Sequence, residues 1–357
     1  MKIVIVGGHI SPALAVIEKL KGEEIFYIGR KHTFEGDKAL SLESQEIEKL
    51  NIPFFNLNTA RLQRKFTKHT LPSLLKFPAG FIQSYKLLNK IKPDVVLGFG
   101  GYLFLPVALS AYFLKIPVVI HEQTLEAGFT NKRIAMFAKK VCISWEFSKK
   151  FFPKEKVVLT GNPLRQAIID AKNIKIIKNK IPLIYITGGS AGAHAINLLV
   201  ENTLCKLLEK CTIIHQTGAS EVYKDFDRLE KLKSKRYECK KFLTASQAAE
   251  AISRADLVIG RAGINTVTEL IYLQKPAFLI PLSTGQKNEQ LNNAEFLKSL
   301  GLGEFVEQNL LTPDLFVSTI FSMLDDLSCY RIEDKILIED AAEKIVGVLK
   351  NVAEKKA

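Results

Sequence analysis

Residues 2–12 run Lys-Ile-Val-Ile-Val-Gly-Gly-His-Ile-Ser-Pro and join an apolar stretch to a helix start through two glycines. The β-branched run Ile3–Val6 predicts a strand that is buried on both faces. Ser11 suits the N-cap of a helix, and Pro12 suits its first turn. A strand, a glycine turn and a helix in this order predict the first repeat of a parallel α/β sheet.

Short β-branched runs alternate with helical patterns along the rest of the chain. In the first half the predicted strands are Ile3–Val6, Ile25–Ile28, Val95–Gly98, Val118–Ile120, Lys140–Ile143 and Val157–Leu159. In the second half they are Ile181–Thr187, Thr212–Gln216, Ala255–Ile259 and Ala277–Ile280. The predicted helices include Pro12–Lys21, Asn131–Lys139 and Asn265–Tyr272. This alternation predicts an α/β protein with two doubly wound parallel-sheet domains, each of them Rossmann-like.

The chain has 357 residues, which is enough for two domains. The turn-forming tripeptide Gly161-Asn162-Pro163 follows the last predicted strand of the first half, so we expect domains at 1–162 and 163–357. The last helix, about 339–352, is amphipathic and could pack back on the first domain. The uncharged stretch Val95 to Leu114 contains three glycines and Pro106. It therefore predicts a buried strand, a turn and a buried helix, and not a membrane span.

The formal net charge of +13 calls for an anionic partner. Nucleic acid, anionic lipid and a phosphorylated small molecule are the candidates. No nucleic-acid-binding motif is present, so we expect no nucleic-acid partner. The five cysteines form no CxxC pair, which is typical of reduced thiols without a zinc site. Met1 leads directly into the first strand, so we expect no signal peptide.

One stretch of the first half is basic without any acidic residue. Its eight basic residues between Asn51 and Pro93 are Arg61, Arg64, Lys65, Lys68, Lys76, Lys86, Lys90 and Lys92. The apolar residues interleaved with them are Leu62, Phe66, Leu71, Leu74, Leu75, Phe77, Phe81, Ile82 and Leu87. A charge run is usually a solvated face, but this combination also favours docking on an anionic membrane surface.

Ligands of open α/β sheets bind beyond the carboxyl ends of the strands, where glycine turns let backbone N–H groups approach a phosphate. The turns of this kind are Gly7–Pro12, Gly98–Tyr102, His121–Thr124, Gly188–Ala193, His215–Gly218 and Gly260–Thr266. None of them is a GxGxxG or a P-loop motif. The second strand ends in Ile28-Gly29-Arg30 without an acidic residue for an NAD ribose, although Arg30 leaves an NADP enzyme as an alternative.

The motifs together resemble the MurG family, membrane-associated transferases that use UDP-N-acetylglucosamine. The matching motifs are Gly98-Phe99-Gly100-Gly101-Tyr102, Ile116–Gln123, Gly161–Arg165, Gly188–Ala193 with Asn197, Asp256–Gly263, Glu269, and Gln290 with Asn293-Ala294. The resemblance implies a GT-B fold, in which two such domains face a central cleft. It implies inverting transfer of N-acetylglucosamine from UDP-GlcNAc to a lipid-linked muramyl-peptide (lipid I to lipid II) in peptidoglycan synthesis. It also implies a peripheral enzyme on the cytoplasmic face of the cell membrane, without a metal or another cofactor.

The resemblance assigns roles residue by residue. On the catalytic and acceptor side they are His9 as base, Glu122 as the next candidate, and Gly7, Gly8, Tyr102, Gln123 and Thr124 as acceptor-binding residues. On the donor side they are Arg165 and Ser190 at the diphosphate, Leu243 at the uracil, Glu269 at the ribose, Gln290 at the sugar, and Asn197 and Arg261. From the residues alone, a carboxylate that only complements the helix dipole is the favoured explanation of Glu269.

This chain departs from the family pattern at three positions. The first glycine loop is about three residues shorter than GGTGGH, Thr124 replaces an asparagine, and Glu289 stands beside Gln290. We therefore expect that binding of the acceptor diphosphate is weaker or is taken over by Lys or Arg side chains. A transferase with another lipid acceptor and an inactive nucleotide-sugar binding protein stay open as alternatives.

Overall fold

The computed structural model of the chain describes residues 1–32, 41–59, 70–175, 179–189, 192–220, 222–282, 288–333 and 336–355, and excludes the side chains of 42 and 70–76. The chain divides into two units. The first unit contains Met1–Arg165 and Ile338–Ala357, and the second contains Gln166–Leu337.

The first unit is built on a parallel sheet. Its strands are β1 (Lys2–Val6), β2 (Glu24–Gly29), β3 (Phe54–Asn56), β4 (Val95–Gly98), β5 (Val118–Glu122), β6 (Lys140–Ile143) and β7 (Val157–Leu159). Its helices include α1 (Ile10–Lys19), α2 (Leu42–Lys49), α3 (Thr70–Ile91), α4 (Phe104–Phe113) and α5 (Phe129–Ile134). Within the described ranges, the sheet has seven strands in the order β3-β2-β1-β4-β5-β6-β7. Ile3 and Ile5 of β1 pack on one face, and Val4 and Val6 pack on the other, so both faces are covered.

The second unit repeats this architecture. Its strands are β8 (Leu183–Thr187), β9 (Thr212–Gln216), β10 (Tyr237–Lys240), β11 (Leu257–Gly260), β12 (Ala277–Leu279) and β13 (Gly303–Phe305). Its helices are α6 (Gln166–Ala171), α7 (His194–Lys210), α8 (Asp225–Leu229), α9 (Ala245–Arg254), α10 (Ile264–Leu273), α11 (Glu289–Ser299) and α12 (Pro313–Asp325). Counting the described residues alone, this sheet has six strands in the order β10-β9-β8-β11-β12-β13. The predicted fold class of two Rossmann-like α/β domains is confirmed.

The last helix, α13 (Ala341–Glu354), belongs to the first unit. Its buried residues Ile345 and Leu349 share a core cluster with Ile3 and Ile5 of β1. Lys19 of α1 and Glu343 form an ion pair of 2.7 Å. The helix therefore completes one face of the first sheet, although more than 170 residues of the second unit separate it from the preceding part of that unit in sequence.

The structure adds three strands, β3, β10 and β13, that the sequence analysis does not predict. All three lie at sheet edges. Edge strands are short and paired on one side only, so they need no long apolar run. The predicted helix Asn131–Lys139 is also shorter and displaced, since α5 ends at Ile134.

The uncharged stretch from Val95 to Leu114 forms β4, a glycine turn and α4, as predicted. Over the described part of the chain, no helix has the length and apolar content needed to cross a membrane.

Candidate active site

Two glycine turns of the first unit pack directly on each other. Gly8, between β1 and α1, has a φ of +156°, and a Cβ atom added there would lie 2.4 Å from the Gly100 carbonyl oxygen. A Cβ at Gly101 would lie 3.4 Å from the Gly8 Cα. Only glycine allows this approach of two backbones. The predicted acceptor residues Gly7 and Gly8 therefore meet the turn that carries Tyr102.

His9 is the N-cap residue of α1, with an extended backbone. Its half-buried side chain makes no capping hydrogen bond to the helix. Burial lowers the pKa of His9 to about 4, and the helix N-terminus acts in the same direction because it disfavours a positive charge. The ring is therefore neutral at pH 7 and can accept a proton.

Glu43 of α2 lies against the Gly7–Gly8 turn, a contact that the sequence analysis misses. Its carboxylate accepts hydrogen bonds from the Tyr27 hydroxyl at 2.5 Å, from the Arg30 backbone N–H at 3.1 Å, and from the Gly8 backbone N–H. A Cβ atom at Gly7 would lie only 1.7 Å from Glu43 Oε1. Burial raises the pKa of Glu43, and these hydrogen bonds oppose that shift. The carboxylate thus fills the space beside the shortened loop.

Arg30 and Tyr102 bridge the same turn. Arg30 follows β2, Tyr102 follows β4, and β1 lies between these two strands in the sheet. Arg30 Nη1 donates to the Tyr102 hydroxyl at 3.2 Å. The guanidinium therefore reaches across the carboxyl end of β1, above the turn that precedes His9.

Glu122, the predicted alternative base, is held within the loop that follows β5. Its carboxylate is buried and accepts hydrogen bonds from Thr124 N at 3.1 Å, Gly128 N at 2.9 Å and Asn131 Nδ2 at 2.9 Å, with Thr124 Oγ1 at 2.5 Å. Burial raises the pKa of Glu122, and these donors oppose the shift. Four donors occupy the positions at which a carboxylate accepts hydrogen bonds, so Glu122 holds the loop that follows β5.

Gln123 and Thr124, both predicted to bind the acceptor, are buried in this loop. The Gln123 carbonyl accepts a hydrogen bond from Trp145 Nε1 at 3.0 Å, and the Thr124 hydroxyl faces Glu122. Their observed contacts support the loop from within. The buried Gln123 Oε1 has no hydrogen-bond partner among the described residues, and the acceptor contacts of both side chains stay a prediction.

In the second unit the main phosphate-binding candidate is the turn between β8 and α7. Gly189 and Gly192 both have a φ of +83°, and a Cβ at Gly192 would lie 2.1 Å from the Thr217 carbonyl oxygen. Helix α7 has no side-chain cap and no acidic residue in its first turn. Its N-terminus is therefore suited to a phosphate. Ser190, the predicted phosphate contact in this turn, lies outside the described residues.

Asn197 of α7, predicted to contact the donor, makes its described hydrogen bonds within the protein. Its amide nitrogen donates to the Thr217 carbonyl at 3.0 Å and to Asp225 Oδ2 at 2.8 Å, and its oxygen lies 3.1 Å from His215 Nε2. Both amide hydrogens are therefore used within the protein. Burial raises the pKa of Asp225, but hydrogen bonds from Asn197, His194 and Arg228 outweigh burial and lower it overall. This buried network holds α7 and its N-terminal turn in place.

The other predicted donor residues lie around the carboxyl ends of β10, β11 and β12. Glu269 of α10 is half-buried. Burial raises the pKa of Tyr185 of β8, and the nearby Glu269 carboxylate adds a smaller rise. Leu243 follows β10, and no backbone hydrogen bond joins it to another described residue. Gln290 lies in the first turn of α11, where its Oε1 accepts from Leu282 N at 3.1 Å.

The two predicted arginines differ in their surroundings. Arg261 donates to the Ile280 carbonyl at 2.9 Å and to Gln308 Oε1, so both terminal nitrogens have protein partners. Burial lowers its pKa to about 10, so the side chain stays charged at pH 7. In Arg165, at the end of the first unit, the buried Nε has no hydrogen-bond partner among the described residues. Of these two arginines, Arg165 is therefore the one with a donor that has no described partner.

No group of three or more His, Cys, Asp or Glu side chains that could hold a metal ion is found in the described ranges.

Comparison with known proteins identifies the class. The family model of the glycosyltransferase family 28 N-terminal domain matches residues 6–143, and that of the C-terminal domain matches residues 183–342. These ranges contain most of the glycine turns described above. The fold and the two matches define a glycosyltransferase.

Individual relatives identify the family within this class of enzymes. The UDP-N-acetylglucosamine--N-acetylmuramyl-(pentapeptide) pyrophosphoryl-undecaprenol N-acetylglucosamine transferase of Lachnoclostridium phytofermentans is 33% identical over 354 residues, which is 97% of this chain and 96% of the relative. The protein of the same name from Geobacter metallireducens is 35% identical over 330 residues, 90% of this chain and 88% of the relative. The crystal structure of Acinetobacter baumannii MurG superposes with a TM-score of 0.70 at 26% identity and covers 98% of this chain and 99% of that chain. The chain belongs to glycosyltransferase family 28 and, within it, to the MurG family.

Proposed function

We propose that this protein transfers N-acetylglucosamine from UDP-N-acetylglucosamine to N-acetylmuramyl-(pentapeptide) pyrophosphoryl-undecaprenol, a step of peptidoglycan synthesis. The observation that carries the proposal is identity of 33% over 97% of the chain to a relative whose name states this reaction. His9 at the glycine turns of the first unit supports the same reaction, because its ring is neutral and makes no capping hydrogen bond to α1. So does the uncapped N-terminus of α7 in the second unit.

The mechanism that we propose is a direct displacement with inversion. The acceptor hydroxyl attacks the anomeric carbon of the sugar, its proton passes to neutral His9, and the bond to the UDP oxygen breaks. The leaving diphosphate gains negative charge, which the N-terminus of α7 is suited to stabilise. In this scheme Glu122 and Asn197 order the two sites and do not touch the reacting atoms.

A transfer assay with purified protein tests the proposal. UDP-N-acetylglucosamine and the lipid-linked muramyl-peptide are incubated together, and mass spectrometry detects the added N-acetylhexosamine. We expect the product only when both substrates are present. Binding of UDP-N-acetylglucosamine without transfer to this acceptor would contradict the proposal, and an inactive nucleotide-sugar binding protein would then be the better account. Transfer to a different lipid in an acceptor screen would identify a divergent transferase.

The pH dependence of the reaction follows from the low pKa of His9. A base with a pKa of about 4 is neutral throughout the range from pH 8 to 5.5. We therefore expect kcat/KM for the acceptor to stay nearly constant over this range. An ordinary histidine, with a pKa of about 6.5, would leave roughly a tenth of the activity at pH 5.5. Kinetics at each pH, with folding checked by circular dichroism, distinguish the two cases; a fall centred near 6.5 would show that His9 is not the base or is not buried in solution.

We also propose that the first unit docks on an anionic membrane surface. In the described part of the basic stretch, Lys86 and Lys90 are exposed on α3. Residues 60–69 and the side chains of 70–76 lie outside the described residues. They include the other predicted basic and apolar residues of this stretch except Lys92, Phe77, Phe81, Ile82 and Leu87. Beside the two lysines lies an exposed apolar surface formed by Ile82, Tyr85, Tyr112 and Phe113.

Ring contacts join the aromatic residues of this apolar surface. Phe81 of α3 lies 6.3 Å from Tyr85 and 5.8 Å from Phe113 of α4, measured between ring centroids. Phe113 is 64% exposed and Tyr112 is 56% exposed. Exposed aromatic residues next to lysines are typical of surfaces that insert shallowly into an anionic bilayer.

Vesicle co-sedimentation tests this docking surface. Binding should rise with the fraction of anionic lipid and fall with salt, because each basic residue near the surface contributes about 1 kcal/mol. Phe113→Ser combined with Ile82→Ser should weaken it. Val222→Ser, which removes an exposed apolar residue of the second unit, serves as the control. Equal binding to neutral and anionic vesicles, or no effect of the double variant, would refute the proposed surface.

A further inference from the structure

The proposed chemistry gives no role to Arg30, which follows β2 in the first unit. Within the described residues its guanidinium makes one hydrogen bond, to the Tyr102 hydroxyl at 3.2 Å, and no ion pair. A guanidinium carries five N–H donors, so four of them have no described partner. An arginine with unused donors at the carboxyl end of a parallel sheet is suited to an anionic ligand.

The position of Arg30 relates it to the acceptor side of the site. Its hydrogen bond to Tyr102 spans from the end of β2 to the turn after β4 and therefore passes over the end of β1. The Gly7–Gly8 turn and His9 follow β1 directly. A group bound by this guanidinium would consequently lie at the same strand ends as the candidate base.

Glu43 makes the glycine turn itself a poor anion site. Its carboxylate already accepts the Gly8 N–H, and its Oε1 occupies the space above Gly7. The Gly7 N–H is also used, since it donates to the Ile28 carbonyl at 2.8 Å. Backbone N–H groups that are occupied by the protein cannot also bind a phosphate, and a neighbouring carboxylate repels one.

The proposed acceptor contains a diphosphate that some group of the protein must neutralise. We infer that the Arg30 guanidinium, held in place by the Tyr102 hydroxyl, binds this diphosphate instead of the backbone N–H groups of the Gly7–Gly8 turn. The inference rests on the proposed function, because it takes the lipid-linked diphosphate as the acceptor. Arg30 can present two parallel N–H groups to phosphate oxygens, and the Tyr102 hydroxyl can donate its own hydrogen as well.

Binding measured without turnover tests the inference directly. Undecaprenyl diphosphate and undecaprenyl monophosphate in detergent micelles are titrated into the wild-type protein and into Arg30→Ala. We expect the wild type to bind the diphosphate about tenfold more tightly than the monophosphate, the scale of one charge-assisted hydrogen bond. In Arg30→Ala this preference should fall to about one. Arg30→Lys should keep part of it, because lysine retains the charge but not the planar pair of donors.

Two further variants separate binding from folding. Arg254→Ala removes a positive charge from an exposed arginine of the second unit and should leave the diphosphate preference unchanged. Tyr102→Phe removes the hydroxyl that orients Arg30 and should reduce the preference about two- to threefold without removing the charge. If Arg30→Ala fails to fold, the diphosphate preference of Tyr102→Phe tests the inference instead.

Kinetics then distinguish failure of this inference from failure of the proposed function. In the active enzyme, Arg30→Ala should raise KM for the acceptor about tenfold and leave KM for UDP-N-acetylglucosamine unchanged. An unchanged diphosphate preference in Arg30→Ala and Tyr102→Phe would overturn the inference while transfer by the wild type upholds the proposed function. Conversely, if Arg30→Ala loses the diphosphate preference but the wild type transfers no sugar, the binding site is upheld and the proposed function is overturned.

Discussion

Replacement of His9 by alanine is expected to lower kcat with the lipid-linked acceptor about 10²–10⁴-fold, the range for removal of a general base. The reason is its position: a neutral, half-buried imidazole at the strand ends of the first unit, without a capping hydrogen bond to α1. The affinity for UDP-N-acetylglucosamine should stay nearly unchanged, since the proposed donor residues other than Arg165 lie in the second unit. Steady-state kinetics and calorimetry with the donor measure the two quantities separately.

His9→Gln is the matched variant, because glutamine keeps hydrogen-bonding groups at this position but cannot take a proton at neutral pH. Its kcat should be as low as that of His9→Ala if proton transfer is the role of the side chain. Near-normal turnover in both variants would make His9 structural. Recovery of activity in His9→Gln alone would mean that a hydrogen bond, and not a base, is needed there.

The second large effect is expected at Glu269. Glu269→Ala should weaken UDP binding by about 2–3 kcal/mol, the scale for hydrogen bonds to a charged group. Such a loss is roughly 30- to 150-fold in Kd. The physical reason is that a carboxylate half-buried on α10 can accept both ribose hydroxyls at the carboxyl ends of β8 and β11. Calorimetric titration with UDP measures the effect.

Two controls make this measurement specific. Glu250→Ala removes an exposed carboxylate from α9 of the same unit, so it should leave UDP affinity unchanged. Titration with uridine diphosphate and with its 2′-deoxy form tests the assigned contact. The wild type should bind the deoxy form more weakly than uridine diphosphate. Glu269→Ala should bind the deoxy form no more weakly than uridine diphosphate. Unaltered UDP affinity in a folded Glu269→Ala protein would reduce Glu269 to a residue that complements the helix dipole.

The fold was predictable where burial imposes a simple pattern. β1 and β4 lie inside the first sheet, are covered on both faces, and therefore appear as uninterrupted apolar runs. β10 lies at an edge, and its sequence Tyr-Glu-Cys-Lys alternates between buried and more exposed residues over only four positions. So short an alternation is common in loops, so the sequence alone does not distinguish this strand.

The glycine turns at the strand ends were predictable, and the contacts that support them were less so. Gly8 and His9 stand out because a glycine turn and a helix start leave a local pattern. Glu43 does not stand out, since it is one of several carboxylates on a polar helix, and its partners Tyr27 and Arg30 reach it only through tertiary packing. The family resemblance made Glu122 a candidate base, but the direction of its side chain, into the protein and toward Asn131, is a property of the folded loop.

The membership of α13 in the first unit affects how the protein folds during synthesis. The second unit is continuous in sequence and can complete its own contacts as soon as Leu337 has left the ribosome. The first unit cannot, because Ile345 and Leu349 cover a face of its sheet and are made after the whole second unit. Until then α1 covers part of the apolar face around Ile3 and Ile5, and the part that α13 covers in the folded protein has no partner from this helix. The part of the enzyme that is translated first is therefore the part that reaches its native state last.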